Sequence, residues 1–198
     1  TFKIWFDFYH IETQLHLKAM RDDVKFALNK YARFFKDVEI VQAKNSDDLN
    51  YIKSEIMKGI FYTDRIALDK NFGVDIANKR YANWVEDEFN RGAKLFFITV
   101  GDKNIGFALR KYENNTVHAL LAGLFNEYKK SRMGGSIYFV GFTRDYDEGY
   151  KNFCTAVSAN NLSSLRLQQE MVGYKVYEIQ DVYVKHYENN LNEGGLIS

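Results

Sequence analysis

The chain has 198 residues, 46% apolar and 16% aromatic, a globular composition long enough for one substantial core or two small ones, with one folded unit as the default. Lys+Arg 27 against Asp+Glu 26 leaves a formal net charge of +1 with no long block of like charge, so there is no electrostatic footprint for nucleic acid. A single cysteine excludes an intrachain disulfide and a multi-cysteine zinc site, and no apolar run approaches the roughly 18 residues of a membrane span. The first ten residues, TFKIWFDFYH, alternate apolar and polar positions and build no signal-peptide core, so a cytoplasmic protein is expected. A removed leader is left open because the chain does not begin with Met.

In chain order, FKIWFDFY at 2–9 fits a strand. From Arg21 to Phe35, Val24, Leu28, Tyr31 and Phe35 recur at helical steps. Val38–Ala43 is β-prone, Ser46 or Asp47 can cap the helix DDLNYIKSEIMK, Gly59 stops it, and IFYTDRIAL returns as a strand, making a β-α-β unit. VDIANKRYANWVEDEFNRG sets Ile76, Tyr81, Trp84, Val85 and Phe89 along one side of a longer helix that ends at Gly92. KLFFITV, IGFALRKY and TVHALLAGLF form an antiparallel meander across polar turns. A Gly-containing turn, a helix through GSIYFVGFTRDYD, the strand NFCTAV, the helix LSSLRLQQEM and a pair of strands, GYKVYEI and DVYVKHY, complete the pattern. The fold class expected is therefore α/β (α+β), a mixed sheet covered by helices, and the tail from Leu191 to Ser198 is expected to fray.

Two features carry chemistry. In the turn NEYKKSRMGGS, the adjacent Gly134 and Gly135 stand at a helix entry, where backbone N–H groups and the helix dipole favour a phosphate, and Lys129, Lys130 and Arg132 add positive charge. The same turn also reads as a plain solvated helix start, and neither a Walker loop nor G-x-G-x-x-G is present. The second feature is Asn160-Asn161, where a strand gives way to a helix and an asparagine serves as an N-cap. Cys154 lies in the apolar run FCTAV and reads as a small hydrophobe ahead of a nucleophile.

The order of these segments from about Lys94 to Tyr187 resembles the acetyl-CoA-dependent N-acetyltransferases of the GNAT superfamily. That resemblance implies a mostly antiparallel sheet with acetyl-CoA in the splay between two strands, near Ala122–Phe125 and Thr155–Ser158, Ser158 included. It implies a backbone N–H near Leu124 or Phe125 that polarises the thioester carbonyl, a preorganised donor of the kind that contributes most to such reactions. The family's pyrophosphate turn, Gln/Arg-x-x-Gly-x-Gly/Ala, falls on Lys129, Lys130, Ser131, Arg132, Met133 and Gly134, with Lys129 and Arg132 departing from the pattern. Val157, Asn161, Gly173 and Tyr174 resemble the family's last motif, which implies that Asn161 contacts the cofactor while Asn160 caps the helix. The tyrosine that many members use to protonate the departing thiolate falls on Gln168 or Gln169 and is absent. Tyr183, Tyr187 or water could replace it, and Glu127 and His118 are the candidates for accepting the amine proton.

A narrower likeness, carried by Asp64, Arg65, Asp69, Phe72, Arg80, Tyr81 and Trp84, is to enzymes related to dTDP-fucosamine acetyltransferase, which act on the amine of a nucleotide-linked aminodeoxy sugar in surface-polysaccharide synthesis. It implies a partial N-terminal GNAT-like half at 1–73, a complete domain at 74–190, and Asp64, Arg65 and Trp84 toward a small-molecule amine. Taken alone, the aromatic residues also read as helix core and Asp64–Arg65 as a surface pair. The rival functions are acetylation of a peptide, a protein N-terminus or a polyamine, and a non-catalytic coenzyme A sensor. No metal is expected, and the oligomeric state is open between monomer and homodimer.

Overall fold

Strand β1 (Tyr9–Met20) opens the described part of the molecule, a computed structural model covering residues 8–186. Helix α1 (Arg21–Tyr31) follows, then β2 (Val38–Gln42), α2 (Ser46–Met57), the one-turn α3 (Arg65–Leu68) and the long α4 (Gly73–Asn90). The meander β3 (Lys94–Val100), β4 (Lys103–Glu113) and β5 (Thr116–Leu124) leads to α5 (Ser136–Asp147), β6 (Asn152–Ser158), α6 (Leu162–Val172) and β7 (Lys175–Val184). All seven strands form one sheet in the order β2-β3-β4-β5-β6-β1-β7, antiparallel at every seam except β5–β6. Residues 8–73 supply β1 and β2 to this sheet and residues 74–186 supply the rest.

The two faces of the sheet carry separate cores. Leu17, Ile98, Ala108, Val117 and Phe153 pack with residues of α1, α5 and α6. Leu95, Phe97, Phe107 and Leu109 pack under α2 and α4 with Ile52, Ile56, Ala82 and Val85. The alternation in KLFFITV therefore divides one strand between two cores, as a central strand covered on both sides requires. Each fully buried Phe or Leu of this kind contributes about 1.5–3 kcal/mol.

Three expected elements differ. Residues 2–7 of the expected first strand lie outside the described residues, and the observed strand β1 shares only Tyr9 with it, running on through residues 10–20, to which no strand was assigned. IFYTDRIAL is not a strand, so the β-α-β unit does not form. The Asn78 side chain receives the Phe61 N–H at 3.0 Å and donates to the Phe61 carbonyl at 3.0 Å, imitating a ladder partner for a single residue. Asp64 then caps α3 by accepting from Ile66 and Ala67 N–H. The expected C-terminal pair is one continuous strand, β7, because the long β1 offers it a partner from Lys18 to Tyr9 and no turn intervenes.

Candidate active site

The only parallel seam of the described sheet is also its shortest. Strands β5 and β6 pair from Thr116 with Asn152 to Ala119 with Thr155, and then they part. Beyond that point β5 stays paired with β4 as far as Leu124, while β6 stays paired with β1 as far as Ser158. Both lips of the cleft are thus held from outside, and Ala119–Ala122 face Thr155–Ser158 across a cavity of about 280 Å³.

One end of this cavity is ionic. Glu12 on β1 is 2% exposed and receives a hydrogen bond from Arg65 Nη1 at 3.2 Å. Asp64 is 8% exposed, and its Oδ1 is consumed by the cap of α3. Its Oδ2 is buried and has no hydrogen-bond partner among the described residues, with Arg80 Nη1 standing 3.7 Å away. Tyr81 and Trp84, 6.2 Å apart between ring centroids on α4, form the aromatic wall beside these charges. Burial, reinforced by the Asp64 charge, holds the Tyr81 hydroxyl far above its ordinary range, so it remains a neutral donor.

The other end is a neutral hydroxyl network. Asn161 Oδ1 accepts the Ser164 N–H at 3.1 Å, and Tyr138 on α5 meets Ser164 Oγ at 2.6 Å. Gln168, 4% exposed, donates to the same oxygen at 2.9 Å. Burial pushes the Tyr138 hydroxyl above its ordinary value, while Ser164 and Gln168 pull against it. Behind this network Arg110 is buried against Asp145, whose Oδ1 accepts from Tyr112 at 2.9 Å. A Cβ at Gly141 would collide with the Arg110 guanidinium, so that glycine leaves the space the guanidinium fills. Burial pushes the Asp145 carboxyl up against the pull of Arg110.

No protein-family model and no curated protein matches the chain. Solved structures do. A GCN5-related N-acetyltransferase from Sphaerobacter thermophilus is similar at 10% identity and TM-score 0.58, over 89% of this chain and 52% of that one. A GCN5-related N-acetyltransferase from Kribbella flavida is similar at 11% identity and TM-score 0.55, over 93% and 62%. The fold is that of the GCN5-related N-acetyltransferases. A functionally unknown conserved protein of Staphylococcus epidermidis has it too, at 14% identity and TM-score 0.51 over 87% of this chain and 60% of that one. The chain spans between about half and three-fifths of these structures.

Within the N-acetyltransferase fold, the expected site residues fall into two groups. The cavity brings together Asp64, Arg65 and Trp84 at one end with Ser158 and Asn161. It does not include His118, a half-exposed β5 residue whose Nε2 is 3.8 Å from Glu113, nor Glu127, exposed on the turn Asn126–Tyr128. Leu124 and Phe125 are buried, and the Phe125 N–H is already donated to the Ile105 carbonyl at 2.9 Å, so it is not free for a thioester. Tyr187 lies outside the described residues, and Tyr183 is half exposed with its ring against His10. The cap of α6 is Asn161 and not Asn160, because the chain turns into the helix one residue later than expected.

The turn before α5 bears on coenzyme A. Arg132 takes the left-handed conformation, φ 63 and ψ 10, at the position where the family pattern has glycine, and its side chain is exposed. A Cβ added at Gly134 would meet only the Leu167 side chain, at an ordinary contact distance of 3.5 Å, so the backbone there is not covered by a close neighbour. Gly135 instead makes room for Met171 and Phe35, and Lys129 donates to the Gly59 carbonyl at 3.0 Å, away from the turn. The residues present therefore fit a pyrophosphate at Arg132–Gly134 and the start of α5, next to Met133, with Lys129 outside that set.

Glu12, Arg80, Tyr81, Tyr138, Ser164 and Gln168 join the site beyond the residues assigned to it from sequence. Gln168 stands where the resemblance puts a tyrosine, and a tyrosine hydroxyl reaches the same network from α5. Among the described residues no helix is long and apolar enough to cross a membrane, and no three His, Cys, Asp or Glu residues gather to hold a metal.

Proposed function

We propose that the chain is an acetyl-CoA-dependent N-acetyltransferase acting on the primary amine of a small molecule. The carrying observation is the parting of β5 from β6 around a cavity that is ionic at one end and hydroxyl-lined at the other, in this fold. Acetyl-CoA, when bound, supplies an activated acetyl thioester.

The chain's own residues divide the remaining work. Arg132, Met133, Gly134 and the N-terminus of α5 bind the pyrophosphate, and the Asn161 side-chain amide, whose oxygen is occupied by Ser164, has its N–H₂ left to donate to the pantetheine arm. The amine nitrogen forms a bond to the acetyl carbon as the carbon–sulfur bond breaks. Glu12 takes the proton the amine gives up, and the Tyr138 hydroxyl provides one to the sulfur, its own proton being replaced through Ser164 or solvent. The narrower form of this proposal has the amine on a nucleotide-linked aminodeoxy sugar, with Asp64, Arg65 and Trp84 in contact with it, in the cytoplasm.

Labelled acetyl-CoA incubated with nucleotide-linked 3-amino and 4-amino sugars, amino acids, lysine peptides and polyamines tests both levels. Transfer to a sugar nucleotide supports the narrow form, and transfer to another amine supports the broad form alone. Binding of acetyl-CoA with no transfer to any amine overturns both. Tyr138→Phe is expected to lower kcat about a hundredfold with little change in KM for acetyl-CoA.

A further inference from the structure

We propose that the acceptor carries an anionic group as well as its amine, a deeper reading of the same cavity that rests on the acetyl-transfer proposal. Four charged side chains occupy the ionic end, and they are arranged by depth. The carboxylates are inside, Glu12 at 2% and Asp64 at 8% exposure. The guanidiniums lie toward solvent, with side-chain exposures of 31% for Arg65 and 41% for Arg80.

Asp64 Oδ2 is buried without a well-formed hydrogen bond among the described residues, although the Tyr81 hydroxyl acts on the same carboxylate, and a buried carboxylate oxygen left in that state is unfavourable. Arg80, at 3.7 Å, is too far for a hydrogen bond and compensates only by charge. An ammonium carries three donors and can satisfy Asp64 Oδ2 and Glu12 together, which aims the reacting nitrogen at the β5–β6 cleft. The two guanidiniums each carry five N–H donors, and the single ion-pair contact of each to a carboxylate is through Nη1. Both guanidiniums line the cavity, and the remaining donors of each offer a fork suited to a carboxylate or phosphate.

Formal charge points the same way. Two carboxylates and two guanidiniums sum to zero, so a ligand that is itself ammonium inside and anion outside leaves the balance intact. A diamine would set its second ammonium against Arg65 and Arg80, and a neutral amine would leave the fork unused. The anion could be the carboxylate of an amino acid or the phosphate of a sugar phosphate or nucleotide, and both present the same chemistry to the fork.

Calorimetry on the full chain, with and without coenzyme A, uses O-phosphoethanolamine, β-alanine, ethanolamine and ethylenediamine as matched probes. At least one of the two zwitterions is expected to bind about tenfold tighter than ethanolamine, with ethylenediamine weakest, and the order of the zwitterions separates phosphate from carboxylate. In Arg80→Glu, an exposed change on α4, zwitterion affinity falls and ethylenediamine affinity rises, with thermal denaturation confirming that the variant is folded at the temperature of the titration. Ethanolamine or ethylenediamine matching the zwitterions, an unchanged order in Arg80→Glu, or no zwitterion binding at about 10 mM overturns the proposal. Zwitterion binding without any coenzyme A binding keeps the cavity as a zwitterion site but overturns its role for an acetyl acceptor, whereas coenzyme A binding with the reverse probe order overturns the anionic group and leaves acetyl transfer standing.

Discussion

Asn161 is assigned two separable jobs, and substitution can part them. Its Oδ1 accepts the Ser164 N–H at 3.1 Å and so caps α6, while the residue also lines the cavity. Asn161→Ala removes both functions. Loss of an N-cap costs about 1 kcal/mol, which in a protein of this size lowers Tm by about 2–4 °C. Asn161→Ser keeps a capping oxygen without the amide N–H₂, so its melting temperature should stay within about 1 °C of the wild type. If the amide donates one neutral hydrogen bond to bound coenzyme A, worth about 0.5–1.5 kcal/mol, both variants should bind it about 2- to 13-fold more weakly. Calorimetry with coenzyme A and thermal denaturation of the two variants read the two effects independently. Full coenzyme A affinity in Asn161→Ser would reduce the residue to its capping role.

Two further outcomes follow from buried charge. Asp145→Ala strands the Arg110 guanidinium and should cost about 3–5 kcal/mol, seen as a fall in Tm of roughly 10 °C, and Arg110→Met with Asp145→Leu should recover much of it; equal damage from single and double variants would refute a pairing role. Burial alone would raise the Asp69 carboxyl, but the Asn71 N–H, His186 and Tyr9 together hold it below its ordinary 3.8. Its contribution is therefore present above pH 3.8 and is lost as pH falls below that value. The stability gap between wild type and Asp69→Asn, measured by urea denaturation, should accordingly shrink as the medium is acidified below about pH 4, and a gap independent of pH would contradict the assignment.

The meander was legible because β3 and β4 are buried on both faces and short polar turns set the strands apart, Gly101-Asp102 between β3 and β4 and Asn114-Asn115 between β4 and β5. Helices α1 and α4 announced themselves through apolar spacing, with Gly92 and Gly173 just beyond the ends of α4 and α6, whereas the one-turn α3 was read as part of a strand. Strand β1 escaped notice for a physical reason. Its alternate positions His10, Glu12, Gln14 and His16 are polar, but Thr13 interrupts the apolar series Ile11, Leu15, Leu17 and bulges shift the register at both ends, so the period-two signal is short. Glu12 could not be tied to Arg65 from sequence, since 53 positions separate them and only the insertion of β1 beside β6 joins them. IFYTDRIAL failed as a strand because the Asn78 amide takes the backbone groups of Phe61 that a neighbouring strand would use. Asp64, Arg65 and Trp84 were expected from a family likeness and line the cavity, whereas the Tyr138–Ser164–Gln168 network depends on α5 packing against α6 and leaves no spacing to read.

A crystal structure of the chain with coenzyme A tests the central claim most directly. Acetyl transfer in the cleft predicts the pantetheine arm between Ala119–Ala122 and Thr155–Ser158, the pyrophosphate on the Arg132–Gly134 turn, and the thiol between Glu12 and Tyr138. Coenzyme A bound elsewhere with the β5–β6 cleft empty, or no coenzyme A bound at millimolar concentration, would contradict it.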